Sequence, residues 1–568
     1  MYLRKMKNKK TNRIYLSAVQ GYRTAEGKSR TKTIKSFGYV DEFEKDYINP
    51  IEYFEGVVRK MNDDAQNNDE SINIKLNESL VIGSSNRKNF GYAVLSHIYH
   101  QLELDDFIKN RQRSKNFQFD GNSILRLLLF GRILTPGSKK STYERKEEYF
   151  EKFDFELHDV YRFLSFLITK KDDMQIWLNK RIKQHYQRDT SLVYYDVTNF
   201  YFEIDEQDEL RKKGVSKEHR PDPIIQMGLF MDNMGIPISY GLFPGNTVDS
   251  ETFRPMFGEI KRKFNLGKVI VVADRGMTTG DNIWYTQSGK DGYVLSYSIL
   301  KSDATFKKYV LDEEDYVTNE NGFKIKSRLI PRTINVTMTS GKKRKKTVDE
   351  KQVVFYCPKY AEKARRDRQP AIEKAMDLLN NPSRYTKSSI KGAAQYIKNI
   401  AFDKDTGVIL EKEDYLLEFN EDLLREQEKY DGYYAIVTSE YKEDAKRIVE
   451  MYRGLWKIEE TFKITKSDLE TRPVFHSKQE RIEAHFLTCF LALIIVRILE
   501  YRLNGKWSVT KLIEALQKSK CSFLQENYYH FNYYDEVLDD IGKEFNIDFS
   551  KKFMTQKEIK NVIAASKK

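Results

Sequence analysis

Asp196 lies inside an apolar, strand-like run, SLVYYDVTNFYF, and Asp274 closes another, KVIVVAD, immediately ahead of Arg275. Two aspartates brought to one edge of a sheet by neighbouring strands repel each other. Each raises the other's pKa unless a cation sits between them. Ligands that are all oxygen favour Mg2+ or Mn2+ over zinc. A third carboxylate from a docking helix would complete a site for two divalent ions about 4 Å apart, which activates an attacking oxygen and stabilises a leaving one. The stretch YRGLWKIEETFKITK, residues 452–466, offers that group. Tyr452, Trp456, Glu459, Lys463 and Lys466 recur at spacings of 4, 3, 4 and 3, so one helix carries them on a single face. Leu455, Ile458, Phe462 and Leu469 form an apolar stripe beside it. That stripe docks the helix, holds Glu459 at the rim of whatever it covers and turns Glu460 away from the core. Each piece also has a plainer reading: a solvated charged face for the helix, a turn or edge residue for Asp196, and a nucleotide-ribose contact for Asp274. No GxGxxG precedes Asp274, which weakens the last of these.

The elements that must position these groups follow from periodicity. SLVYYDVTNFYF reads as a strand. IIQMGLFMD and IPISYGLFPG flank Asn233-Met234-Gly235 as a hairpin, SETFRPMFGEIKRKF as an amphipathic helix, and KVIVVAD as a buried strand. A helix over 281–288 and the strand GYVLSYSI follow. Three antiparallel strands, a crossover helix, a strand, a helix and a strand is the order of a ribonuclease-H-like core, an α/β fold on a mixed five-stranded sheet. Residues 300–430 interrupt it with charged helical stretches, short strand-like runs and the basic cluster KKRKK at 342–346. YYAIVTSE then resumes as a strand, and a helix from about 441 to 469 carries Tyr452 and Glu459.

The expected division is 1–70, a basic β-hairpin arm with a linker at 62–70; 71–190, a helical region; 191–299, the first part of the core; 300–430, an inserted domain; 431–503, the second part; and 504–568, a C-terminal region. The arm has eleven Lys or Arg in its first forty residues against one acid, Glu26. GYRTAEGKS within it has one residue too many between its glycines for a phosphate loop, and a strand follows it. His97 and His100 are ordinary helix histidines, with no carboxylate or third ligand near them in sequence.

The 568 residues carry a formal net charge of +13 at pH 7, with 13% aromatic and 32% charged residues, a balance suited to a polyanion such as nucleic acid. Three scattered cysteines exclude a disulfide framework and a zinc ribbon and point to a reducing cytoplasm. The most apolar run, FLTCFLALIIVRIL at 486–499, is too short to span a bilayer and reads as a buried helix, so no membrane partner is expected.

With these residues in view, the sequence resembles the DDE transposases of bacterial insertion sequences, of the insertion-sequence-four type. Their catalytic Glu lies in a Tyr-x2-Arg-x3-Glu-x6-Lys helix, and Tyr452, Glu459 and Lys466 fit that spacing. RKKGVSKEHRPDPIIQMG, GIPISYGLFPGNT and ADRGMTTGDN are also similar to the family's usual sequence. The resemblance implies a ribonuclease-H-like catalytic domain interrupted before the Glu-bearing helix by a β-rich insertion, and a metal-dependent enzyme that cleaves and rejoins the element's DNA ends by a cut-and-paste route. Asp196, Asp274 and Glu459 would hold two Mg2+ or Mn2+ ions. Tyr452, Lys463 and Lys466 would meet DNA phosphates, with Arg275, Lys342, Lys343 and Arg344 as further DNA contacts. It also implies terminal inverted repeats and target DNA as partners, a homodimer on paired ends and a nucleoid-associated place in the cytoplasm. One position departs: the signature Arg is Leu455, and Arg453 lies two residues away on another face. Family members that form DNA hairpins stack an aromatic of the insertion on a flipped base. Since no Trp falls within 300–430, a Tyr or Phe would have to do so here, while Trp456 either packs at the helix junction or stacks on a base. An inactive DNA-binding descendant and a structure-specific nuclease on the same core are the competing readings.

Overall fold

The alternation at the amino terminus becomes three strands, Tyr2–Lys7 (β1), Ile14–Arg23 (β2) and Ser29–Tyr39 (β3), paired antiparallel in that order. The expected hairpin therefore gains a third strand. Leu16, Ala18 and Val19 are buried in this sheet, and Phe54 and Val58, four apart on the helix Pro50–Gln66, are buried with them. That helix runs through 62–66, the first half of the stretch expected to be a linker; 67–70 fall outside the described residues. The computed structural model describes residues 1–8, 11–23, 29–66, 79, 86–113, 115–385, 392–400, 409, 417–474, 476–524 and 527–568. They divide into a small unit, Met1–Ile82 with Leu524–Glu526, and a large one, Gly83–Phe523 with Asn527–Lys568.

The large unit begins with the strand Arg87–Asn89 (β4) and is organised by a mixed sheet. Its strands are Leu192–Tyr201 (β5), Ile224–Asp232 (β6), Pro237–Pro244 (β7), Ile270–Ala273 (β8), Gly292–Tyr297 (β9), Val317–Thr318 (β10), Lys324–Thr337 (β11) and Lys343–Tyr356 (β12). After Ile397–Lys398 (β13) and Glu418–Phe419 (β14), which pair only with each other, Tyr433–Thr438 (β15) joins the same sheet. The order β7-β6-β5-β8-β9, antiparallel among the first three and parallel from β5 to β9, is the five-stranded arrangement expected from the element order. The sheet does not stop there. β15, β12, β11 and β10 continue it past β9, so it has nine strands rather than five. Within 300–430 the short strands β10, β13 and β14 are joined by a long hairpin that was not expected, β11 and β12, each of 14 residues, with Lys343 opposite Thr337 at its tip.

Helices Tyr92–Gln101, Gly121–Leu134 and Leu157–Ile168 pack with the 24-residue helix Gln479–Arg502, whose residues from His485 to Leu499 are all buried. That helix is long and apolar enough to cross a membrane, but 94% of its apolar window is buried within the protein. Arg497 is tolerated there because its guanidinium donates to the Gly235 carbonyl and pairs with Glu460 and Glu500. The C-terminal strands Lys520–Phe523 (β16), Tyr528–Phe531 (β17) and Phe553–Thr555 (β18) form a four-stranded sheet with β4. One hydrophobic cluster runs from Phe90 to Ile563, so the early helices and the chain's last segment share a core.

Candidate active site

Backbone register sets the first two carboxylates. β5 and β8 pair in parallel with Tyr195 opposite Ala273, and Asp196 and Asp274 each follow one residue later. Val193, Tyr195 and Val197 enter the cluster on one face of the sheet, while Tyr194 and Phe200 enter the larger cluster on the other, so Asp196 projects with Tyr194. β9 adds a donor: Leu295 lies opposite Ala273, and the next residue, Ser296, donates from Oγ to Asp274 Oδ1 at 3.0 Å.

Asp196 is largely buried, and its carboxyl is pushed up to about 6, first by that burial. Lys217 and the Val197 N–H, which donates at 2.7 Å, pull it down, whereas Asp274 and Glu459 push it up. The three acids thus act on one another. Among the described residues, no three His, Cys, Asp or Glu side chains are gathered closely enough to hold an ion as they stand. The donor set nonetheless fits a hard divalent cation: it is all carboxylate oxygen, and the burial of Asp196 is a cost that such a charge would offset.

The expected single helix over 441–469 is two, Ala445–Arg453 and Trp456–Lys466. Between them Leu455 N bonds to Tyr452 O and Ile458 N to Leu455 O, a tightened turn. Gly454 is required there, because a Cβ would stand 1.9 Å from Tyr194 Oη. Both linking residues stay right-handed, so the stripe survives: Leu455, Ile458 and Phe462 are buried, while Trp456, Glu459 and Lys463 are exposed. Glu460 does not face away from the core. It pairs with the buried Arg497, and Lys457 Nζ donates to Asn233 O at 2.7 Å, so the helix is tied to both the Gln479–Arg502 helix and the β6–β7 turn.

A cavity of about 950 Å³ opens over these groups, lined by Asp274, Arg275, Tyr452, Arg453, Trp456 and Glu459 among others. Trp456 is 55% exposed, which removes the packing role considered for it. Burial pushes the Tyr452 hydroxyl up. Residues 300–430 contribute Tyr360, Lys363 and Tyr430 to the wall. Leu455, at the signature Arg position, is 5% exposed, packs in the core and also borders the cavity, which exposed Arg453 lines as well. Lys466, expected to be open to a phosphate, is half-buried and donates to Glu218 Oε1 at 3.1 Å. Exposed Lys342, Lys343 and Arg344 sit at the tip of the β11–β12 hairpin and do not line this cavity.

Sequence reasoning missed Ser296, Lys217, Glu218 and Arg472. The first is recoverable from strand register; the others sit in charge-rich loops where spacing carries no signal.

The chain matches the transposase DDE domain over residues 196–495, a span that opens on Asp196 and contains Asp274 and Glu459. It matches the N-terminal domain of IS1634 family transposases over residues 3–71. No curated protein matches it. Among solved structures it is similar to a piggyBac transposase synaptic complex with hairpin DNA, at 8% identity and a TM-score of 0.34, covering 84% of each chain. It is also similar to a Mos1 transposase paired-end complex with the left transposon end, at 11% identity and a TM-score of 0.14, covering 42% of this chain and 66% of that one. With more than half its length inside the first of these domains, the chain belongs to the DDE transposase family of bacterial insertion sequences and is a DNA transposase.

Proposed function

We propose that Asp196, Asp274 and Glu459 are the metal-binding triad of this transposase and that they hold two Mg2+ or Mn2+ ions. One observation carries the reading: Asp274 and Glu459 line the same cavity, and Asp196, level with Asp274 on the neighbouring strand, feels both of their charges. When bound, such ions supply Lewis acidity, activating a water and then a DNA 3′-OH for in-line attack and stabilising the leaving oxygen. The chain itself supplies position and charge. Asp196, which the charges of Asp274 and Glu459 both push upward, would hold a bound ion together with those two carboxylates. Ser296 fixes the rotamer of Asp274 through its hydroxyl, leaving the far oxygen for coordination.

Tyr452 and Arg275 flank the acids and contact the phosphates next to the scissile bond, while Lys463 and Lys466 follow the backbone along the helix. Lys342, Lys343 and Arg344 at the hairpin tip bind DNA outside the cavity, and the basic N-terminal sheet and the helical region before 190 recognise the terminal inverted repeats. The ribonuclease-H-like core comprises 191–299 and 431–503, with 300–430 inserted between them. The active form is a homodimer on paired ends, acting on DNA in the nucleoid.

Asp196→Ala, Asp274→Ala and Glu459→Ala are each expected to abolish Mg2+-dependent cleavage and strand transfer of the element's ends while DNA binding persists. Cleavage retained by any one of them removes that residue from the triad.

A further inference from the structure

Lys466 and Arg472 lie at the end of the Glu459-bearing helix and in the segment just beyond it, and both close on one carboxylate. Lys466 Nζ donates to Glu218 Oε1 at 3.1 Å, and the Arg472 guanidinium donates to Glu218 Oε2. The two oxygens are thus divided between two cations. Glu218 is held well below the usual carboxylate range, against its partial burial, by the hydrogen bonds from Arg472 and Lys466.

The turn that delivers Glu218 is built. Ser216 Oγ accepts from the Glu218 and Arg220 backbone N–H groups at 3.2 and 3.3 Å, Asn199 Nδ2 donates to Val215 O, and Lys217 Nζ donates to Val197 O beside Asp196. Arg220 stacks on the Tyr201 ring at 4.0 Å, and Arg472 reaches the same ring at 5.0 Å, so a further cation stands beside the pair. The bridge is open to water: the side chains of Lys466, Arg472 and Glu218 are 15, 27 and 27% exposed.

A Lys and an Arg closing on two oxygens of one anion is the arrangement that binds a phosphodiester, with the guanidinium supplying the planar fork. Resting on the reading of Lys466 as a DNA-backbone contact, we propose that Glu218 fills that contact in the DNA-free chain as an internal anion, with Arg472 as its second cation. Incoming DNA exchanges its phosphate for the Glu218 carboxylate. The exchange gives back the Coulomb energy of the displaced pair and so lowers affinity for every duplex that uses the subsite. Water reaches all three side chains, so a competing anion can reach the two cations as well.

The test is binding of the full-length chain, in EDTA so that no cutting occurs, to a labelled duplex copied from the DNA bordering the gene and to an unrelated duplex of equal length. Glu218→Gln is expected to bind the bordering duplex roughly three- to tenfold more tightly than wild type, and the unrelated duplex more tightly by no more than that. That gain should vanish in Glu218→Gln/Lys466→Gln and Glu218→Gln/Arg472→Gln. Unchanged or weaker binding by a Glu218→Gln chain that still melts cooperatively would make Glu218 a permanent brace for the two cations and overturn the proposal. Should the Gln variant fail to fold, Glu218→Asp, which withdraws the carboxylate by one methylene, is read in the same way. The proposal and the triad reading fail separately: the triad falls if alanine variants of its members still cleave, whatever Glu218→Gln does to affinity.

Discussion

The two walls that carry the carboxylates are held by different forces. On the sheet wall, Asp196 lies within β5, and Asp274 stands one residue past the end of β8, placed by the pairing of β8 with β5 and β9 and by the Ser296 hydroxyl. On the helix wall, Glu459 rides on an eleven-residue helix located by side chains alone: Ile458 and Phe462 in the core, Glu460 on Arg497, Lys457 on the Asn233 carbonyl, and Gly454 against the Tyr194 ring. Register is quantised in steps of a residue, whereas packing of this kind allows small displacements. The aspartates are therefore the fixed reference, and Glu459 is the adjustable member. That accounts for three acids that sense one another without yet being gathered tightly enough to hold an ion.

The largest effect that would sharpen this contrast comes from changing side-chain length without changing charge. Asp196→Glu should lose end cleavage on the order of a thousandfold, because the strand cannot retreat to accommodate the added methylene. Glu459→Asp should lose only about ten- to a hundredfold, because its helix can move inward. Equal losses, measured as single-turnover cleavage rates at saturating Mg2+, would mean that the helix is as rigid as the sheet.

Next in size is the contact on which the two walls meet. Gly454→Ala places a methyl on the Tyr194 ring, two residues from Asp196, and must displace either the ring or the helix. A loss of about 1–3 kcal/mol in stability is expected, with at least a tenfold fall in cleavage. Tyr194→Leu in the same chain should recover part of both. Failure of the second change to restore anything would locate the damage in the backbone of the turn instead.

The same division explains what could be read from the sequence. Asp196 and Asp274 were legible because strands announce themselves by alternation and by apolar runs, and adjacency then follows from the order of elements. The stripe of Trp456, Glu459 and Lys463 was legible as a helical face, but the break at Gly454 was not, since it is imposed by Tyr194, a residue far away in the chain. The extension of the sheet was also hidden. Lys324, Lys326, Arg328 and Arg332 fall on alternate positions of β11 and read as a solvated face, yet they lie over aromatic rings: Lys324 over Tyr316 at 4.7 Å, Arg328 over Tyr309 at 3.9 Å and Arg332 over Tyr297 at 4.8 Å. Charged side chains whose partners are rings elsewhere in the chain defeat a count based on polarity. Glu460 misled in the same way, its partner Arg497 lying on another helix.

The smallest expected effect separates the walls by stability rather than activity. Burial lifts the Asp196 carboxyl from its ordinary value to about 6, so the fold holds its proton more tightly than the unfolded chain does. Below about pH 4 both states are protonated and nothing is lost. As pH rises through about 4 to 6 the folded state must give up a proton it prefers to keep, and stability falls, by up to about 3 kcal/mol above that window. Asp196→Asn removes the ionisation. In EDTA at pH 7.5 its Tm should exceed that of the wild type by a few degrees, and the difference should close as the pH approaches 4. Glu459 is exposed, so Glu459→Gln should leave the metal-free Tm close to wild type across the same range. Adding Mg2+ should narrow the gap between wild type and Asp196→Asn at pH 7.5, because the cation relieves the same buried charge. A wild-type chain as stable without metal at pH 7.5 as Asp196→Asn would show that Lys217 already neutralises Asp196, and that the sheet wall carries no charge waiting for an ion.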